Sequence, residues 1–225
     1  MKFPELSLEI YIIHLLETPE RISSCYRQFR STMLIDSLHI VTTEQPHVSR
    51  FFVDPPTTCM LPGYIPRRLR TQEKSVFYKH AYAIKDIAER STLGGVILED
   101  DVVVNNTAFH KFLYTLRNTE ILKNYDIVYF GNGAHEPSPC GTSKLSIVTP
   151  DHTLHKSKCA DSYVVSKDAA IKISQDYVDY PPFLPVDWDM SLRIERNSLK
   201  VGWLQPGITF QGSQHGMFKS LIQNT

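Results

Sequence analysis

Glu99, Asp100 and Asp101 close a short apolar run, Val96-Ile97-Leu98, that Gly94 and Gly95 open. A fully buried strand that ends at a site reads this way, with continuous apolar residues giving out into polar groups. In extended backbone alternate side chains share a face, so Glu99 and Asp101 are expected to point one way and Asp100 the other. Together they offer oxygen to a hard divalent cation while touching the ligand that the cation carries. Adjacent carboxylates repel one another and raise one another's pKa, and a divalent ion with phosphate attached holds them ionised together. The plainer reading is a solvated acidic turn, but most such turns do not follow directly on an apolar strand.

Other candidates are scattered. Asp187, in Pro185-Val186-Asp187-Trp188-Asp189, falls at the start of a helix, where a carboxylate is favoured with or without chemistry to do. Glu73 and His80, seven residues apart, project from one side of a helix, although a lone helical histidine is more often structural. His215 lies between glycines in Gly212-Ser213-Gln214-His215-Gly216. Tyr163, Trp188 and Trp203 are available to stack on a ligand ring, with core packing the commoner use of each.

Strands alternating with helices must position these groups. Leu8 to Ile13 reads as a strand, Thr18-Pro19-Glu20-Arg21 as a helix start, and Leu38 to Val41 as a second strand. Residues 44 to 70 hold Pro46, Pro55, Pro56, Pro62, Gly63, Pro66 and the basic group Arg67-Arg68-Leu69-Arg70, and are expected to form a loop excursion. A helix from Glu73 to Arg90 leads into the central strand. Asn105-Asn106-Thr107 opens another, and Tyr125 to Phe130 forms a strand ending in a Gly131-Asn132-Gly133 turn. Leu145 to Val148, Ser162 to Val165 and Val201 to Leu204 read as strands. Ser166 caps a helix from Lys167, and a further helix carries Met190 and Ile194 inward. The pattern predicts an α/β fold, one domain over 1–225, with a largely parallel central sheet flanked by helices and ligands at the carboxyl ends of its strands.

With 225 residues, 42% of them hydrophobic, the chain can bury a sizeable core. Lys plus Arg and Asp plus Glu are 24 each, and a formal charge of zero argues against nucleic acid as a bulk electrostatic partner. Met1 to Leu6 has no apolar signal segment and no run is long enough to span a bilayer, so a cytoplasmic location is expected, with peripheral membrane contact at most. Cys25, Cys59, Cys140 and Cys159 lack paired spacing, which argues for reduced thiols over structural zinc.

Taken in order, these segments resemble glycosyltransferase family 25, the lipooligosaccharide and procollagen galactosyltransferase group. Tyr11-Ile12-Ile13 with Pro19-Glu20-Arg21 is similar to that family's opening strand and turn, and Ile97-Leu98-Glu99-Asp100-Asp101-Val102 to its most specific signature. Glu73 and His80, Tyr125-Asp126-Ile127-Val128 with Gly131, Ser162 to Ser166 with Ala169, and Pro185-Val186-Asp187 follow in the family's order. His14-Leu15-Leu16 and Ser75-Val76 depart from it. The resemblance implies a nucleotide-sugar glycosyltransferase A-type fold and inverting, metal-dependent transfer of a hexose, galactose or glucose, from a UDP-sugar to a glycan, glycolipid or glycoprotein. Asp101 would then hold Mn²⁺ or Mg²⁺ with His215 as a further ligand, Glu99 would meet the ribose, and Asp100 would help through water or brace the loop. Ile12, Glu73, His80 and Tyr163 would shape the nucleotide-sugar pocket, and Asp187, with Asp189 second, would be the general base. A non-catalytic nucleotide-sugar or metal-binding module, and a Mg²⁺-dependent phosphate-ester hydrolase, are the rival expectations.

Overall fold

The computed structural model describes residues 8–16, 18–29, 38–42, 51–54, 67–118, 120–131, 145–150 and 159–219. Outside them lie Met1 to Leu6, every proline and the glycine named in the expected loop excursion, Cys59, Cys140 and the Asn132-Gly133 turn.

Elements follow the predicted alternation. The first half runs β1 (Leu8–Ile13), α1 (Pro19–Phe29), β2 (Leu38–Val41), α2 (Thr71–Arg90), β3 (Gly94–Glu99), β4 (Val102–Val104), α3 (Asn106–Asn118) and α4 (Ile121–Asn124). The second half runs β5 (Ile127–Tyr129), β6 (Ser146–Val148), β7 (Ser162–Ser166), α5 (Lys167–Asp179), α6 (Val186–Arg196), β8 (Val201–Gln205) and β9 (Thr209–Gln211). Local chemistry sets several boundaries: Ala169 N–H donates to the Ser166 hydroxyl at 3.2 Å and Ala108 N–H to Asn105 Oδ1 at 3.2 Å, satisfying amides that a helix start leaves open.

A seven-stranded sheet has the order β2-β1-β3-β7-β5-β8-β6. β2, β1, β3, β5 and β8 run one way, whereas β7 opposes β3 and β5, and β6 opposes β8. The sheet is therefore mixed though mostly parallel, and helices flank it. One face packs Tyr11, Ile13, Ile97, Tyr129 and Tyr163 under α2, α5 and α6. The other packs Ile10, Ile12, Leu98, Val128 and Phe130 under α1 and α3. From β1 the chain steps through α1 to β2 on one side, then crosses back through α2 to add β3 on the other. The carboxyl ends of β1 and β3 thus bracket the kind of crevice where open α/β sheets bind ligands.

One expectation fails locally. β3 ends at Glu99, and Asp100 and Asp101 form a turn before β4, which pairs antiparallel with β9 in a separate two-stranded sheet. The strand alternation imagined for the triplet therefore does not apply to Asp100 and Asp101. The chain turns because Asp100 is tied sideways, its N–H donating to Ile13 O at 3.0 Å and its carboxylate facing β1 and α1.

Candidate functional site

Asp100 is a brace. Its Oδ1 accepts from Arg21 Nη1 at 2.9 Å, and its Oδ2 meets His14 Nδ1 at 2.7 Å, the Thr18 hydroxyl at 3.1 Å and Leu15 N–H at 3.2 Å. With both oxygens taken and the side chain buried, the expected ligand contact gives way to the bracing role. His14 supplies part of that clamp.

Glu99, Asp101 and Asp161 form an electrostatic group at the end of β3. Burial and then the Glu99 charge push the Asp101 carboxyl up to about 6, against the Ser213 hydroxyl and Arg21. Burial pushes Asp161 well above its ordinary value, and the Glu99 and Asp101 charges act in the same direction. Asp161 was not anticipated from sequence. It precedes Tyr163 by two positions at the mouth of β7, so strand alternation would have put it on the Tyr163 face, and its carbonyl accepts from Glu99 N–H at 2.8 Å. Gly131 makes room for it, since a Cβ there would sit 2.7 and 2.8 Å from the two Asp161 carboxylate oxygens.

The end of β9 and the turn after it reach over this group. Gly212 N–H donates to Asp101 O at 2.7 Å, the Ser213 hydroxyl donates to Asp101 Oδ2, and Gln211 Nε2 donates to Glu99 Oε2 at 3.3 Å. Asp101 Oδ1 is buried without a hydrogen-bond partner. An orphaned carboxylate oxygen beside Glu99 fits an oxygen-preferring cation, although among the described residues no three His, Cys, Asp or Glu side chains already converge as a cage. His215 is exposed, with its ring edge-on to Phe210 at 4.9 Å.

Asp187 stands in the first turn of α6, half-buried. Burial raises its carboxyl pKa, backbone N–H groups pull the other way, and the Glu99 and Glu73 charges raise it further. It therefore senses the same site as the β3 carboxylates. Asp189 does not serve there as the alternative base: it is 1% exposed, and Arg193 grips it through Nε at 3.0 Å and Nη2 at 3.2 Å. Burial pushes Asp189 up to about 6 against that pull, while Asp189 and Asp176 together overcome the burial of Arg193 and hold it protonated. Arg193 also reaches Asp176, and through it the pair ties α6 to α5.

Four further expected site residues have structural partners. Ile12 is fully buried on the α1 side, paired to both Ile40 and Leu98 one residue before the end of β1, so its side chain meets core. Glu73 is the third residue of α2, bound by two Arg67 nitrogens and accepting Arg70 N–H at 2.8 Å. Burial opposes its charge, but Arg67 and the Arg70 N–H hold its carboxyl below the ordinary value. His80 and Tyr163 are both 0% exposed and bond to each other, His80 Nδ1 to the Tyr163 hydroxyl at 3.0 Å. They lie behind Glu99, out of reach of solvent. Sequence reasoning also missed Lys79, fully buried, whose Nζ donates to His14 O at 2.8 Å; mid-helix position gave no sign of it.

A cavity of ≈ 580 Å³ opens elsewhere, between α2 and α5, lined by Phe51, Tyr78, Tyr82, Asp86, Arg90 and Tyr177 among others. It contains none of the carboxylates above. No protein-family model and no curated protein matches the chain.

Proposed function

We propose that the chain is an inverting, metal-dependent hexosyltransferase with a nucleotide-sugar A-type fold, moving galactose or glucose from a UDP-sugar to a hydroxyl of a glycan or glycoconjugate. The observation that carries this reading is the convergence around Glu99 at the end of β3: Glu99 N–H donates to the Asp161 carbonyl just before β7, Asp101 follows in the turn, and the Glu99 charge acts on Asp101, Asp161 and, from the first turn of α6, Asp187. Such concentrated negative charge is costly unless a cation joins it, and its place beside the β1–β3 crevice is where a nucleotide binds in folds of this class. The order of motifs shared with glycosyltransferase family 25 supports the same reading.

In this reading Asp101 is the direct ligand for Mn²⁺ or Mg²⁺, with His215 joining from the covering turn, and Glu99 accepts a hydrogen bond from the ribose. The cation, when bound, neutralises charge that develops on the departing diphosphate. Asp187 takes the proton of the acceptor hydroxyl. Its raised pKa brings it toward neutrality, which strengthens it as a base, and its place in the first turn of α6 fixes its aim.

A thermal-shift panel of UDP-sugars with Mn²⁺ tests donor binding through linkage, since a true donor raises Tm. Assay of released UDP with and without simple hexosides as acceptors then separates three activities. Release that needs an acceptor supports the transferase, release without one indicates a hydrolase, and a Tm rise with no release indicates a binding module.

A further inference from the structure

We propose that His80 and Tyr163 are positioning residues for Glu99, forming a buried relay in which the Tyr163 hydroxyl donates to His80 Nδ1 and His80 Nε2–H points at Glu99 Oε1. The proposal rests on the nucleotide-sugar reading only for the identity of the ligand that Glu99 meets.

The relay is built across three elements. His80 comes from the middle of α2, Tyr163 from β7 and Glu99 from the end of β3. The His80 and Tyr163 rings lie nearly parallel, 9° apart with centroids at 5.9 Å. Neither residue is exposed, so neither can touch a ligand, whereas the Glu99 side chain is 23% exposed. Every step from solvent to His80 by this route passes through Glu99.

His80 Nε2 is buried with no hydrogen-bond partner, and Glu99 Oε1 stands 3.5 Å away. A buried ring nitrogen left unpaired is expensive, so the facing carboxylate is its natural partner at a distance that shortens when the site engages a ligand. Tautomer chemistry decides the direction. If Nδ1 carried the proton it would donate to the phenol, and the Nε2 lone pair would face a carboxylate, acceptor against acceptor. With the Tyr163 hydroxyl donating to Nδ1, the proton sits on Nε2 and faces Glu99 Oε1. Gln211 Nε2 holds Glu99 Oε2 at 3.3 Å, which leaves Oε1 as the oxygen that faces His80. An ordinary core histidine bonded to a tyrosine would explain Nδ1 but not an Nε2 left open toward the most exposed carboxylate of the β3 group.

Nitrogen-15 NMR of the imidazole side chains reads the tautomer directly, with the His80 signals assigned by their loss in His80→Gln. Wild type is expected to show an unprotonated Nδ1 and a protonated Nε2. Tyr163→Phe removes only the hydroxyl and should collapse that preference into a mixture. Calorimetry with UDP and Mn²⁺ supplies the second readout. Tyr163→Phe and His80→Ala should each weaken binding about tenfold, the scale of one hydrogen bond to a charged group, while His80→Gln, whose amide nitrogen replaces Nε2, stays within about threefold of wild type. A protonated Nδ1 in wild type, or equal affinities for His80→Gln and His80→Ala at equal Tm, would overturn the proposal. Absence of UDP binding by wild type would count against the nucleotide reading alone, and the tautomer with its response to Tyr163→Phe would then decide the relay.

Discussion

Asp101 keeps its charge at the expense of the fold. Its carboxyl is held at about 6 against an ordinary 3.8, so between those values the folded chain retains a proton that the unfolded chain has released. The penalty is therefore absent below the lower value, grows as pH rises toward 6 and is complete above it, on the order of 3 kcal/mol. Asp101→Asn should raise Tm near neutral pH and change it little near pH 4. Thermal scans at the two pH values check this, and a gain of equal size at both would assign the effect to something other than charge. Asp187→Asn tests a different property. The amide keeps the shape of the carboxylate but cannot take a proton, so transfer under saturating donor should fall about a hundredfold to ten-thousandfold while donor affinity holds. Parallel loss of affinity and turnover would make Asp187 a donor ligand. The three adjacent carboxylates were legible in the sequence as a group but not as individuals. What separates Asp100 from its neighbours is Arg21, Thr18 and His14, which the fold brings from far along the chain. For Asp161, alternation with Tyr163 indicated a face, but its partners, Glu99 and Asp101, are likewise distant along the chain.

Among the elements, α6 gives the clearest link between packing and site. Arg193 reaches Asp189 on its own helix, and Asp176 and the Tyr180 carbonyl at the end of α5, the latter at 2.7 Å, while its guanidinium covers the Tyr177 ring at 4.7 Å. This clamp sets the angle at which α6 presents Asp187. Arg193→Ala would leave Asp176 and Asp189 buried without that partner and should cost roughly 3–5 kcal/mol, read as a lower urea midpoint. A change below about 1 kcal/mol would show that the clamp is not what holds the helix. Helix starts at Ser166 and Asn105 were readable because capping is local chemistry. The split of the acidic run into β3, a turn and β4 was not, because Val102-Val103-Val104 continues the apolar pattern of Val96-Ile97-Leu98. The break is imposed by Asp100 turning toward β1 and by Gln28 of α1, which donates to Val102 O at 3.2 Å and accepts Val104 N–H at 2.8 Å.

For the whole molecule, alternation of apolar strands and amphipathic helices was enough to predict an α/β sheet with helices on both faces. The antiparallel entry of β7 into its centre was not, since Ser162 to Ser166 reads the same in either direction. That insertion shapes the candidate site, because an antiparallel strand begins where its parallel neighbours end, and so delivers Asp161 beside Glu99. No helix among the described residues is long and apolar enough to cross a membrane. The carboxylate group at the β1–β3 crevice is thus the centre on which the functional reading turns, and calorimetric titration of UDP-galactose and UDP-glucose, with and without Mn²⁺, into wild type and Asp101→Asn addresses it most directly. The account predicts binding of at least one donor by wild type only when Mn²⁺ is present, with that binding lost in Asp101→Asn. Binding that ignores the metal, or that survives the substitution unchanged, would contradict it.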